Sequence, residues 1–157
     1  MQATSEINDN ETKEEESKQF VTMTIGHQLF GIDVEHVVDI LSPQKISSIP
    51  LTRKEIVGSL NLRGRIVTAL DIRVLLDIQD KIELDKNMCV VIENKNELFS
   101  LVVDKVGDVV SISKSKLAKN PDNLNKLWHE VSIGIFPMND ELVVILGVTK
   151  VLSMLME

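Results

Sequence analysis

The sequence predicts a mainly β protein made of two related small barrels with short helices. Three observations carry that expectation. Apolar residues make up 43% of the 157-residue chain, yet only Phe20, Phe30, Phe99, Trp128 and Phe136 are aromatic. The core must therefore come largely from Val, Ile and Leu, a composition that favours strands. Apolar and polar residues alternate along short runs separated by turn residues. Finally, two segments recur later in the chain in the same order, the mark of an internal repeat.

Residues 1–18 contain Glu6, Asp9, Glu11, Glu14, Glu15 and Glu16 against Lys13 and Lys18, and carry −4 of the chain's net −7. They read as a disordered acidic tail. From Phe20 the pattern changes. Val21-Thr22-Met23-Thr24-Ile25 alternates, Gly26-His27-Gln28 supplies a turn, and Leu29-Phe30-Gly31-Ile32 resumes a strand, giving a hairpin.

The first echo starts here. Leu29–Ile40 recurs as Leu98–Val109, with five of twelve positions identical at an offset of 69. In the first copy Val34, Val37, Val38 and Leu41 have helical spacing, but Gly107 replaces Val38 in the second and weakens a sustained helix. One helical turn running into a strand satisfies both copies. Next, Leu51–Ile56 reads as a helix start: Thr52 and Glu55 form a capping box, Leu51 and Ile56 a staple, and Gly58 ends the turn. The second echo pairs Ile66–Leu70 with Leu142–Leu146, each followed by a helical pattern. A helical stretch is expected near Asn123 from Leu124, Leu127, Trp128 and Val131. The chain closes on a helix with Val148, Val151, Leu152 and Leu155 on one face.

Several functions lose support. A nearly neutral folded part with few aromatics offers neither a phosphate-binding footprint nor a base-stacking platform, so no nucleic acid is expected. Cys89 is the only cysteine; its apolar setting fits a buried thiol in a reducing compartment. No apolar stretch reaches the roughly 18–20 residues needed to cross a bilayer, and the N-terminus lacks a signal peptide's basic start and apolar centre, so a cytoplasmic protein is expected. His27, His36 and His129 have no ligand-spaced partners, so no metal is expected. Nucleophile elbows and phosphate loops are missing, so no catalytic residues and no cofactor are assigned. Asp33, Glu35 and Asp104, at echoing places, fit turns better than catalysis.

Gly58-Ser59-Leu60-Asn61-Leu62-Arg63-Gly64 is the unusual segment. Asn61 and Gly64 are turn residues, which sets Arg63 at a tight corner. A guanidinium there can pair with a carboxylate of a neighbouring loop or a partner, or can be an ordinary hydrated surface arginine.

These motifs carry a family resemblance. Phe30-Gly31-Ile32-Asp33, Val37-Val38-Asp39-Ile40, Ile56–Gly64, Ile66–Arg73, Val102-Val103-Asp104, Gly134 and Val143–Leu152 together resemble the CheW family over roughly residues 19–155. The resemblance implies two five-stranded barrels of the Src-homology-3-like type within 19–157, divided near 77–87, open to strand exchange, and joined by a hydrophobic seam. It implies a non-catalytic adaptor that couples the cytoplasmic tips of methyl-accepting chemoreceptors to the histidine kinase CheA, in the cytoplasm at membrane-associated arrays. An adaptor of a non-flagellar motility or developmental pathway is the alternative, and a small barrel enzyme or nucleic-acid binder the remote one.

By motif, Val37, Asp39, Gly58 and Arg63 would face the receptor, and Gly64 and Gly134 the kinase. The family usually has Glu at the place of Asp39. The shorter acid is expected to lie within ion-pair distance of Arg63. Gly58 is expected to admit a receptor helix closely, so that Gly58→Lys abolishes binding in a folded protein.

Overall fold

A computed structural model describes residues 16–50, 53–79 and 81–156. Its first hairpin is β1 (Ser17–Ile25) and β2 (Gln28–Asp33), turned at Gly26 with φ 64°. A single 3-10 turn, Val34–His36, leads into β3 (Val37–Leu41), the turn-then-strand expected from the echo. Then follow β4 (Ile56–Leu62), β5 (Arg65–Leu70) and helix α1 (Ile72–Leu75). The second half repeats the order with β6 (Met88–Asn94), β7 (Glu97–Val103) and β8 (Lys105–Ser113). Helix α2 (Lys126–Val131), β9 (Ser132–Met138), β10 (Glu141–Leu146) and helix α3 (Val148–Met156) complete it.

Among the described residues these strands form two five-stranded sheets, ordered β8-β1-β2-β10-β9 and β3-β6-β7-β5-β4. The orders are equivalent. Both echoes fall on matching strands, and the β2–β10 and β5–β7 contacts are the parallel ones. The division expected near 77–87 does not separate the sheets, because β5 and β6 on either side of it belong to the same one. The chain changes sheet between Asp33 and Val37 and again between Val103 and Lys105. One sheet is therefore continuous from Val37 to Val103, and the other takes both flanks.

Neither sheet closes through a full ladder. Instead the chain beyond each first strand returns to the last strand by one bridge. Ser47, after β3, exchanges both backbone hydrogen bonds with Ser59 of β4 at 2.8 Å. Ala118, after β8, does the same with Ile135 of β9 at 2.9 Å. This is the Src-homology-3-like packing the family resemblance implied, with a single rung where a closed barrel would have a ladder.

Three apolar clusters follow from that layout. Phe20, Phe136, Val143 and Ile145 fill the first sheet's own interior, with the two rings stacked at 5.2 Å. Leu60, Val67, Ala69, Val91, Leu98 and Val102 fill the second. The largest cluster is the seam, where Met23, Ile25, Phe30 and Ile32 meet Val90, Ile92, Leu101 and Val103, with Val151, Leu152 and Leu155 of α3. Strands at the seam bury both faces, which explains the unbroken apolar run Cys89–Ile92. Burial of Cys89 follows from the same packing.

A buried ion pair pins one crossover. Arg73 of α1, 2% exposed, pairs with Asp104, which sits between β7 and β8. The Asp104 carboxylate also accepts from the Gly26 N–H (2.8 Å) and from Asn87 Nδ2 (3.3 Å). One carboxylate thus ties α1, the loop before β6 and the β1–β2 turn together.

Some expectations change. Residues 1–15 of the expected tail lie outside the described residues, while Ser17 and Lys18 already belong to β1. The expected capping Thr52 and staple Leu51 also lie outside them. The chain emerges as a turn at 54–55 and is a strand from Ile56, so no helix runs to Gly58. Pairing of Ile56 with Leu70 satisfies that backbone in a ladder instead. The helix expected near Asn123 is present as α2, which starts at Lys126 with Asn125 Oδ1 accepting the Leu127 N–H at 2.9 Å.

Candidate interaction surface

The β4–β5 hairpin has a two-residue turn, closed by the Leu62–Arg65 pair. Arg63 and Gly64 have φ of 51° and 86°. Two positive φ values are what a tight hairpin matching the strand twist requires. Gly64 meets the demand without a Cβ; Arg63 bears it as a side-chain residue, and Asn61 Oδ1 accepts the Gly64 N–H at 2.9 Å. This backbone projects Arg63 outward, 83% exposed.

Its partner comes from the opposite edge of the same sheet. A bulge at Val38 shifts β3 between the Val37–Ile92 and Asp39–Val91 pairs. Val38 turns out to solvent, and Asp39 is set toward the β4–β5 turn. Arg63 Nη2 lies 3.5 Å from Asp39 Oδ2, while Asp39 Oδ1 accepts the Ile40 N–H at 2.8 Å. The expected approach of Asp39 and Arg63 is present, and the shorter acid reaches. A pair this exposed contributes only about 0–1 kcal/mol to folding. Its larger effect is to fix where the guanidinium stands.

Exposed apolar side chains neighbour the pair along the chain. Ile40 and Val38 project from β3, and Ile66, the most exposed large apolar side chain among the described residues, stands on β5 at 76% exposure. Shallow hollows of about 400 Å³ flank Ile66, one lined by Lys45, Ser47 and Asn61, the other by Gly64, Thr68 and Glu97. Sequence reading did not single out Ile66. Its outward turn follows from alternation with buried Val67, and its echo Leu142 is also half exposed.

The other expected site residues divide. Val37 packs half-buried against the seam. Gly58 is buried in β4, and a Cβ there would stand 2.1 Å from the Ser47 carbonyl oxygen. The close approach it permits is that of its own chain, so the expectation of a folded Gly58→Lys protein is withdrawn: the lysine would break the closing bridge. Gly134 is its counterpart in the other sheet, where a Cβ would meet the Ala118 carbonyl oxygen at 2.7 Å. Gly64 and Gly134 thus belong to different sheets. Gly64 is exposed on a turn, with nothing within 4 Å of an added Cβ.

No group of three or more His, Cys, Asp or Glu among the described residues could hold a metal, and no helix there is long and apolar enough to cross a membrane.

Two β modules joined along an apolar seam, with an ion pair across the edges of one sheet, a tight turn and exposed aliphatic side chains, define a protein-binding scaffold. The sequence matches the CheW-like domain over residues 19–156, and the chain belongs to that family, whose members are non-catalytic scaffold and adaptor proteins. It is 29% identical over 137 residues to the chemotaxis protein CheW of Klebsiella aerogenes, covering 87% of this chain and 82% of that one. The chemotaxis protein CheW of Helicobacter pylori is 23% identical, with 88% and 84% covered. The crystal structure of the scaffolding protein TtCheW from Thermoanaerobacter tengcongensis has the same fold, with a TM-score of 0.76 at 24% identity over 83% of this chain and 89% of that one.

Proposed function

We propose that this protein is a chemotaxis scaffold that couples methyl-accepting chemoreceptors to the histidine kinase CheA, in the cytoplasm at membrane-associated receptor arrays. Family membership supports the scaffold role. The observation that carries the finer reading is the Asp39–Arg63 pair, held across the two edges of one sheet on a strand that also exposes Val38 and Ile40. A receptor helix laid there would meet aliphatic side chains with charges at the rim, the usual arrangement for a helix in a groove. Val37 supports that surface from behind, and Gly58 keeps the edge closed. Gly64 and Gly134, on separate sheets, are the kinase-facing candidates.

Reconstitution tests the reading. Purified protein added to CheA and a receptor cytoplasmic fragment should raise kinase activity above that of CheA with receptor alone. Unchanged activity, with all three proteins shown to be folded, would refute the coupling role.

A further inference from the structure

The strand β1 begins beside a run of lysines. Ser17 is in register with Ser113, and the Lys114 N–H donates to the Glu16 carbonyl at 3.0 Å. Immediately beyond, Lys114 and Lys116 lie on a 3-10 turn and Lys119 follows; all three are exposed. None of the three forms an ion pair among the described residues. The corresponding stretch of the other sheet, Ser42–Lys45 after β3, carries a single lysine. The architecture therefore does not demand this cluster.

We propose that Lys114, Lys116 and Lys119 form a docking strip for an acidic polypeptide segment, and that its occupant in this protein is the acidic run Glu6–Glu15. Within residues 1–15 that run supplies Glu6, Asp9, Glu11, Glu14 and Glu15 against Lys13 alone. Tethering fixes its local concentration. Glu15 and Glu14 are one and two residues from the anchored Glu16, so even a fully extended chain keeps them within about 7 Å of it. Single exposed pairs are weak, but a tethered set acts together, and salt or a more acidic competitor displaces it.

Carbodiimide cross-linking of the full chain, followed by mass spectrometry, tests this. Carboxylates of residues 6–15 should couple to Lys114, Lys116 and Lys119 several-fold more often than to the exposed Lys45 and Lys95 of the other sheet. In a mixture of isotopically heavy and light protein the links should stay within one chain, and high salt should abolish them. Links spread evenly over exposed lysines, or found only between copies, would overturn the proposal. Amide resonances of Glu6–Glu15 provide a second reading. They should shift when Lys114→Gln, Lys116→Gln and Lys119→Gln are combined, and unchanged positions would equally overturn it.

Discussion

Gly58 and Gly134 stand at the same point of two different sheets. Each immediately precedes the residue that forms its sheet's closing bridge, and each has a carbonyl of the returning chain where a side chain would begin, Ser47 at 2.1 Å and Ala118 at 2.7 Å from an ideal Cβ. The internal repeat is therefore a repeat of closure as well as of strands. Two separated glycines carry one physical requirement, the passage of backbone over backbone.

That requirement orders three substitutions. Gly58→Ala should cost most, about 3 kcal/mol or more, since the obstacle is backbone and cannot rotate away. Gly134→Ala should cost somewhat less. Gly64→Ala should cost only about 1 kcal/mol, from its positive φ without any contact. Urea denaturation measures all three, and a Gly58→Ala protein as stable as Gly64→Ala would contradict the bridge as the cause.

Asp104 supplies the stability of the second crossover. Asp104→Ala leaves Arg73 charged and buried, with its Nε and Nη1 already without hydrogen-bond partners. Removing one member of such a pair costs about 3–5 kcal/mol, whereas apolar replacement of both is much milder. Arg73→Met combined with Asp104→Leu should accordingly unfold at higher denaturant concentration than Asp104→Ala alone. The reverse order would show that the charge pair itself, rather than desertion of Arg73, sets the cost.

The Asp39–Arg63 pair should behave differently. A double-mutant cycle with alanine at both positions should give a coupling to folding of about 0–1 kcal/mol that shrinks with added salt. Coupling near that of a buried pair would contradict the exposure of Arg63.

Asp71 gives a pH signature. It caps α1 by accepting the Arg73 N–H at 3.0 Å, and its burial raises its carboxyl above the ordinary 3.8, more than the neighbouring Arg73 lowers it. The folded state then holds that proton more tightly than the unfolded chain does. As pH rises from below 3.8 through the raised folded value, this group's contribution to stability is lost. Asp71→Asn keeps a capping acceptor without the charge. Its stability relative to the parent should improve over that window and level off above it, which denaturation at a series of pH values checks.

Much of this fold could be read before its coordinates. Alternation gave β1 and β2, and the echoes gave their counterparts in the second half. The Asp39–Arg63 contact was legible because Asn61 and Gly64 force the corner and the family resemblance names the acid. The helical turn expected to run to Gly58 misled, since from Ile56 the chain has a strand partner at Leu70 that no local pattern reveals. The chain's exchange between sheets was equally hidden in local pattern, because β3 and β8 alternate as any strand does. The crowding at Gly58 was not legible, because it comes from Ser47, eleven positions upstream and across a loop.

Receptor binding tests the central claim most directly. Purified receptor cytoplasmic fragment should be titrated with the parent protein and with the Asp39→Ala, Arg63→Ala double variant, after denaturation has shown that their stabilities match. Dissociation constants should rise by about tenfold or more in the double variant. Equal affinity in two equally folded proteins would place the receptor on some other face and contradict the account.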